Sequence, residues 1–347
     1  MNFGMVFIWV SFILALGAAV LSSSYAGKFQ NKQLSGRLEI AAFSLISLAC
    51  ILILYYLNAV NASYAYVYQH SSLDLQWYYR LSAMWAGQQG SLLLWVWGIS
   101  AILLIIKYKS KNLPEKLMEH TRTISFLIIS VFLLVLVLDN PFAVYYAKAQ
   151  SIAVSNWNPF VHAYHLTDGQ GMNPLLRNPW MAVHPPVLFM GYAAFTIPFA
   201  AAISGMLLND DGWKNIAGNW MRVGWLFLTA GIGLGGFWAY EVLGWGAWYW
   251  SWDPVETSSL IPWIASTAYL HTQYSKKEAF RFTAPLLSVY SFILVVFATF
   301  VTRSGMWVSV HSWQDFTAES LLIGLFLVTI TVSSTYLLAK RYFEEQR

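Results

Sequence analysis

Nine apolar runs dominate this sequence, and their length decides what the chain can become. A helix crossing a bilayer needs about 20 apolar residues at 1.5 Å each. Candidates lie at Phe3–Leu21, Ile40–Val60, Ser91–Ile106, Thr123–Leu138, Pro185–Leu208, Val223–Tyr240, Thr257–Tyr274, Phe282–Thr302 and Ser320–Ala339. Leu and Ile fill them without the period-two alternation of a membrane barrel, so helices are expected. The expected fold is a single all-α polytopic membrane domain over residues 1–347. Only 10% of residues are charged, against about 25% in soluble domains. With a mean hydropathy of +0.52, this excludes a disordered chain, a fibrous repeat and an ordinary cytosolic enzyme. The first run has no basic stretch before it and no small-residue cleavage site after it, so it is expected to be a retained helix. Cys50 is the single cysteine, which excludes an internal disulfide and a dithiol redox pair.

Basic residues orient the spans. Of the 20 Lys and Arg, 16 fall on one side, in short loops and tails such as Lys107–Lys116 and Lys340–Arg347. Arg80, Lys148, Arg177 and Arg303 fall on the other. The N-terminus is therefore expected outside and the C-terminus in the cytoplasm. The net charge of +4 is a topology signal rather than a nucleic-acid patch. The outer segments 61–90, 139–184, 241–256 and 303–319 hold ten of the 18 Trp residues. Aromatic belts alone would populate both interfaces, so the excess implies an outer aromatic surface with a function.

The spans contain almost no Asp, Glu, Lys or Arg. That argues against an ion-coupled transporter, a proton pump or a voltage sensor. Glu39 and Asp139 sit at span ends, and His271 is the clear intramembrane ionisable residue. Gly231, Gly233, Gly235 and Gly236 lie inside a span with no strand before them. They fit close helix approach better than a nucleotide loop.

Gly244-Trp-Gly-Ala-Trp-Tyr-Trp-Ser-Trp-Asp-Pro-Val-Glu-Thr257 is the most unusual stretch. Asp253 can cap a following helix, Pro254 suits its first position, and Glu256 completes a capping box. Both carboxylates are thus read as structural. Trp245, Trp248, Trp250 and Trp252 need more explanation. They make a broad apolar surface edged with indole N–H donors, suited to a large planar ligand or to an interfacial anchor. Two outer histidines favour the ligand. His184 is expected to open a span, aimed by Pro185-Pro186, and His311 follows another span. Two imidazoles beside an aromatic platform are the parts of a bis-histidine haem site. His271 lies 17 residues past Pro254, ~25 Å deeper. It is either a buried ligand or a side chain reaching the inner interface. His162 and His165 are read as loop residues, and His70 and His120 as solvent-facing. Arg303, Arg177 and Arg80 are cations that could pair with haem carboxylates; Arg303, eight residues before His311, is the best placed.

Four motifs carry a family resemblance. They are Trp85-Ala-Gly-Gln-Gln-Gly-Ser91-Leu-Leu-Leu-Trp95; Asn173-Pro-Leu-Leu-Arg-Asn-Pro with His184-Pro-Pro and Gly191-Tyr192; Gly244 to Glu256; and Thr302-Arg-Ser-Gly305 with Ser309-Val-His311. Together they resemble the haem-handling WWD-domain family of cytochrome c maturation, which includes CcmF, NrfE, CcmC and CcsA. The resemblance is to the N-terminal half of the CcmF type. It implies that His184 and His311 ligate haem iron for delivery and flank an external WWD haem-binding loop at 241–257, whose Trp245, Trp248, Trp250, Trp252 and Asp253 bind the haem together with Arg303. It also implies that His271 ligates a resident haem b. The implied activity belongs to a multi-subunit haem lyase (holocytochrome c synthetase), which joins haem to CxxCH apocytochrome c in the cytoplasmic (inner) membrane, on its periplasmic face. Implied partners are a CcmE-like haem chaperone, a CcmH-like subunit presenting the apocytochrome thiols, and quinol. CcmF-type proteins are nearly twice this length, and their second transmembrane histidine lies in the part without a counterpart here. Either a second polypeptide supplies it, or the haem b site is incomplete. Two other functions remain open: a CcmC- or CcsA-like haem transfer module, and a b-type quinol-oxidising electron-transfer subunit.

Overall fold

A computed structural model describes residues 1–23, 30–109, 114–148, 151–242, 249–274, 281–309 and 316–345. Among these, nine helices reach 20 residues or more. They are α1 (Phe3–Ser22), α2 (Lys32–Asn58), α5 (Gln88–Lys109), α6 (Glu115–Leu138), α7 (Pro179–Leu208), α8 (Trp213–Val242), α9 (Pro254–Tyr274), α10 (Thr283–Arg303) and α11 (Ala318–Glu345). Short helices α3 (Ala65–His70) and α4 (Trp77–Ser82) link α2 to α5. All nine long helices but α9 are long and apolar enough to cross a membrane. α9 is long enough but carries Glu256, His271, Gln273 and a run of Ser and Thr, which lowers its hydropathy.

The helices run alternately between two ends. At one end Asn2 caps α1, accepting from the Met5 amide at 3.2 Å. The same side chain donates to the Phe142 carbonyl at 2.6 Å, and the Asn2 amide donates to Pro159 at 2.7 Å. The start of α1 and the 139–178 segment therefore share an end, as the basic-residue count predicts. At the opposite end Ser22 meets Thr123 at 2.7 Å, and Glu39 of α2 is buried between Lys107 of α5, at 3.3 Å, and Arg122 of α6. Lys32 pairs with Glu119 at 2.6 Å, and Asp211 takes Lys214 at 3.1 Å and Arg341 at 3.6 Å.

Three expectations need correction. The outer 139–184 segment is not all loop. β1 (Val144–Lys148) and β2 (Ser151–Ser155) pair as an antiparallel hairpin, anchored by a bridge between Val144 and Tyr64. His70 is not solvent-facing: its ring stacks on Tyr66 with centroids 4.4 Å apart, and Gly87 closes over it. His120 is buried in α6.

α7 is the most buried of the candidate spans and packs against α5, α6, α8, α10 and α11. Its tightest neighbour is α8. A Cβ on Gly231 would stand 2.8 Å from the Leu188 Cα, so glycine lets the two backbones meet.

Candidate functional site

All four sequence motifs converge on one cavity of about 350 Å³, at the end of the bundle that holds Asn2. Trp85 and Ser91 come from the first motif, and His184 and Tyr192 from the second. Trp250 and Glu256 come from the third, and Thr302 and Arg303 from the fourth. Volume and apolar character match small-molecule sites, which span about 300–1,000 Å³.

The wall from α7 starts earlier than the hydropathy predicts. The helix begins at Pro179, not Pro185, because Asn178 caps it, accepting the Trp180 amide at 2.8 Å. His184 thus sits in the second turn. Pro185 has no N–H, so the Met181 carbonyl, four residues back, loses its helical donor. The Trp85 indole N–H takes that place at 3.2 Å, tying the first motif to the second. The His184 ring stacks on Trp238 of α8, centroids 6.0 Å apart and 17° from parallel. Only a glycine at 235 leaves it room: a Cβ there would be 3.0 Å from His184 Nδ1. Trp238 in turn donates to the Leu175 carbonyl at 3.0 Å. In the sequence Trp238 reads as one apolar span residue among many; its position just beyond the glycine string is the available signal.

The described part of the Trp-rich loop divides in two. Trp250 lines the cavity, and its buried Nε1–H meets no acceptor among the described residues. Trp252 meets Trp250 edge-to-face at 6.3 Å but is 70% exposed and does not line the cavity. Its φ of 61° is strained for a bulky residue. Trp245, Trp248 and His311 lie outside the described residues. Tyr249 anchors the loop to α8, its hydroxyl donating to the Gly233 carbonyl at 2.5 Å. Asp253 and Glu256 act as caps. Asp253 Oδ1 accepts the Val255 amide at 2.9 Å and the Ser309 hydroxyl at 2.7 Å; Glu256 Oε2 accepts the Ser251 amide and hydroxyl, each at 3.1 Å. The Ser309 bond fixes the chain two residues before position 311 against the start of α9.

Of the outer cations, Arg303 alone lines the cavity, 4% exposed. Its Nη1 donates to the Gln88 carbonyl and its Nη2 to the Ser91 hydroxyl, both at 2.7 Å. Arg80 spends its donors on the carbonyls of Leu75, Leu73 and Asn58, and Arg177 on Met172 and the nearby Asp74. Those two hold loops. His162 and His165 are exposed, the latter 2.9 Å from the Ser63 hydroxyl.

His271 is not at the cavity. It is exposed near the far end of α9, with Nδ1 2.8 Å from the Thr267 carbonyl. A carbonyl only accepts, so Nδ1 carries the proton and Nε2 keeps a lone pair for a ligand. Two turns back along α9, Trp263 stacks on Trp225 of α8, centroids 6.1 Å apart. Trp225 donates to Thr267 and Trp263 to Thr229, at 2.8 and 2.7 Å.

A membrane bundle with an aromatic cavity holding an imidazole and a buried guanidinium defines a class, and comparison places the chain in it. A family profile described as Cytochrome C assembly protein matches residues 85–308, and the chain belongs to that family. It is 35% identical over 344 residues to the cytochrome c-type biogenesis protein CcmF of Haemophilus influenzae, covering 95% of this chain and 50% of that one. To the CcmF of Escherichia coli it is 34% identical over 339 residues, covering 94% and 50%. A solved structure titled cytochrome c heme lyase CcmF superposes with a TM-score of 0.74 at 27% identity, covering 98% of this chain and 50% of that one. The chain spans about half the length of the curated relatives it matches.

Proposed function

We propose that this chain is the haem-seating half of a cytochrome c haem lyase, acting at the outer face of the cytoplasmic membrane. The convergence of four motifs on one cavity carries this reading. Haem supplies an iron for axial ligands, vinyl groups for thioether bonds and carboxylates for anchoring. The residues present suit it: His184 would hold the iron, Arg303 and the unmatched Trp250 N–H would donate to carboxylate, and Trp85, Trp238 and Trp250 would form apolar walls that exclude water. His311, two residues after Ser309, would be the second ligand to the iron. Holding haem in register beside two thiols supplies much of the rate by proximity; no side chain at the cavity is assigned as a general acid.

His271, with a fixed tautomer and a free Nε2, is proposed to ligate a resident haem b together with an imidazole from a second polypeptide or segment. A haem held there would supply electrons, drawn from quinol, for reduction of the delivered haem. A CcmE-like chaperone would deliver haem, and a CcmH-like subunit would present the CxxCH apocytochrome.

Oxidised and reduced absorbance spectra of the purified chain test the assignment, beside His184→Ala, His311→Ala and His271→Ala. Loss or shift of the haem bands in the first two variants is expected. If only His271→Ala removes haem, the cavity fills transiently and the resident site is at His271. Absence of haem from every preparation, even with partner subunits co-expressed, would refute the reading.

A further inference from the structure

Arg303 has two faces. One lines the cavity, and the other closes a small pocket behind it. Asp139, just past α6, and Glu319, in the first turn of α11, stand in that rear pocket beside Gln89 and Arg303. Gln89 Nε2 donates to Asp139 Oδ1 at 2.8 Å, which holds the carboxylate there. The guanidinium donates to the Gln88 carbonyl and the Ser91 hydroxyl. One cation therefore shares a half-buried wall with two carboxylates.

We propose that Asp139 and Glu319 are positioning residues acting through Arg303: they set how strongly the cavity holds the carboxylates of an acidic ligand, and make seating that ligand take up a proton. This rests on the reading that the cavity takes a carboxylate-bearing porphyrin.

With both rear carboxylates ionised, the wall is net negative and opposes an incoming anion. A proton on Asp139 removes one negative charge from the wall, and with it that part of the opposition. Burial pushes the Asp139 carboxyl up to about 6; the Gln89 bond opposes this, Glu319 adds to it, and Arg303 opposes it. The remaining titratable group facing this cluster is Tyr66 of α3, whose neutral hydroxyl donates to the Ala83 and Met84 carbonyls at 3.0 and 2.8 Å. Affinity for a diacid should therefore be highest below pH 6 and fall as Asp139 ionises.

The test uses the full chain in detergent. Quenching of tryptophan fluorescence is measured with metal-free protoporphyrin IX and with its dimethyl ester, from pH 5.5 to 8.5. Porphyrin carboxyls resemble ordinary ones, near 4.3, and stay ionised across this range. Wild type should bind the diacid about tenfold more tightly at the acid end, one ion-pair-sized effect, and the ester equally throughout. Asp139→Asn is isosteric and still accepts from Gln89. It should bind the diacid about tenfold more tightly than wild type at pH 8.5 and lose the slope. Glu319→Gln should tighten binding while keeping the slope. An unchanged slope in Asp139→Asn overturns the proposal. If Arg303→Gln abolishes the preference for diacid in that same case, the reading of the cavity survives alone. A wild type that does not distinguish diacid from ester overturns both.

Discussion

The two ends of the bundle treat charge in opposite ways. At the end rich in Lys and Arg, cations find carboxylates directly: Glu39 serves Lys107 and Arg122, and Asp211 serves Lys214 and Arg341. At the other end Arg303 is buried against a carbonyl and a hydroxyl, facing a cavity, with its carboxylates set behind it. The first arrangement is self-contained and locks helices together. The second turns a cation toward a cavity. A cation count can orient a membrane protein without saying which cation is functional; burial and the charge state of its partners make that distinction.

The largest effect expected from breaking the contrast is at the self-contained end. Glu39→Ala strands two cations between α2, α5 and α6. Removing one partner of a buried pair costs about 3–5 kcal/mol. Because Lys107 and Arg122 remain 22% and 20% exposed, a smaller loss of about 2 kcal/mol is expected after screening. Thermal unfolding in detergent should show it, with porphyrin affinity unchanged. A loss of porphyrin binding without a loss of stability would remove the contrast.

A comparable loss of stability, here coupled to binding, is expected at the cavity end. Gly231→Ala forces α7 and α8 apart at Leu188, an overpacking cost of about 1–3 kcal/mol. Because Gly235 and His184 share that interface, porphyrin affinity should fall as well. Binding that persists unaltered would place the guest elsewhere. Lys32→Ala should do least. Lys32 is exposed, and solvent screens its pairing with Glu115 and Glu119. No resolvable shift in melting temperature is expected; a large one would mean that the charged end relies on surface pairs after all.

The helical bundle was legible because long runs of Leu, Ile, Val and Phe have few ways to satisfy their backbones in lipid. The start of α7 was not, because Asn178-Pro179-Trp180 reads as loop by composition, and only the cap geometry reveals the helix. The hairpin at β1 and β2 was hidden in a segment of outer aromatics, since its pairing depends on Tyr64, some 80 residues earlier in the chain. At the site, His184, Trp250 and Arg303 could be named from residue type and side of the membrane. Trp238 could not, because an indole inside an apolar span carries no local mark of what it stacks on. His70 looked like any loop histidine; Tyr66 and Gly87 bury it, and neither adjoins it in sequence.

The exchange between Pro185 and Trp85 has an evolutionary consequence. The proline frees the Met181 carbonyl, and the indole occupies it. A relative with another residue at 185 would regain the amide, close its own helix and leave the indole without an acceptor. A relative lacking the tryptophan would keep a carbonyl open in an apolar wall. Either single change is penalised and the double change is not, so the two positions should drift as a linked pair, a trace that an alignment of relatives could expose without any structure.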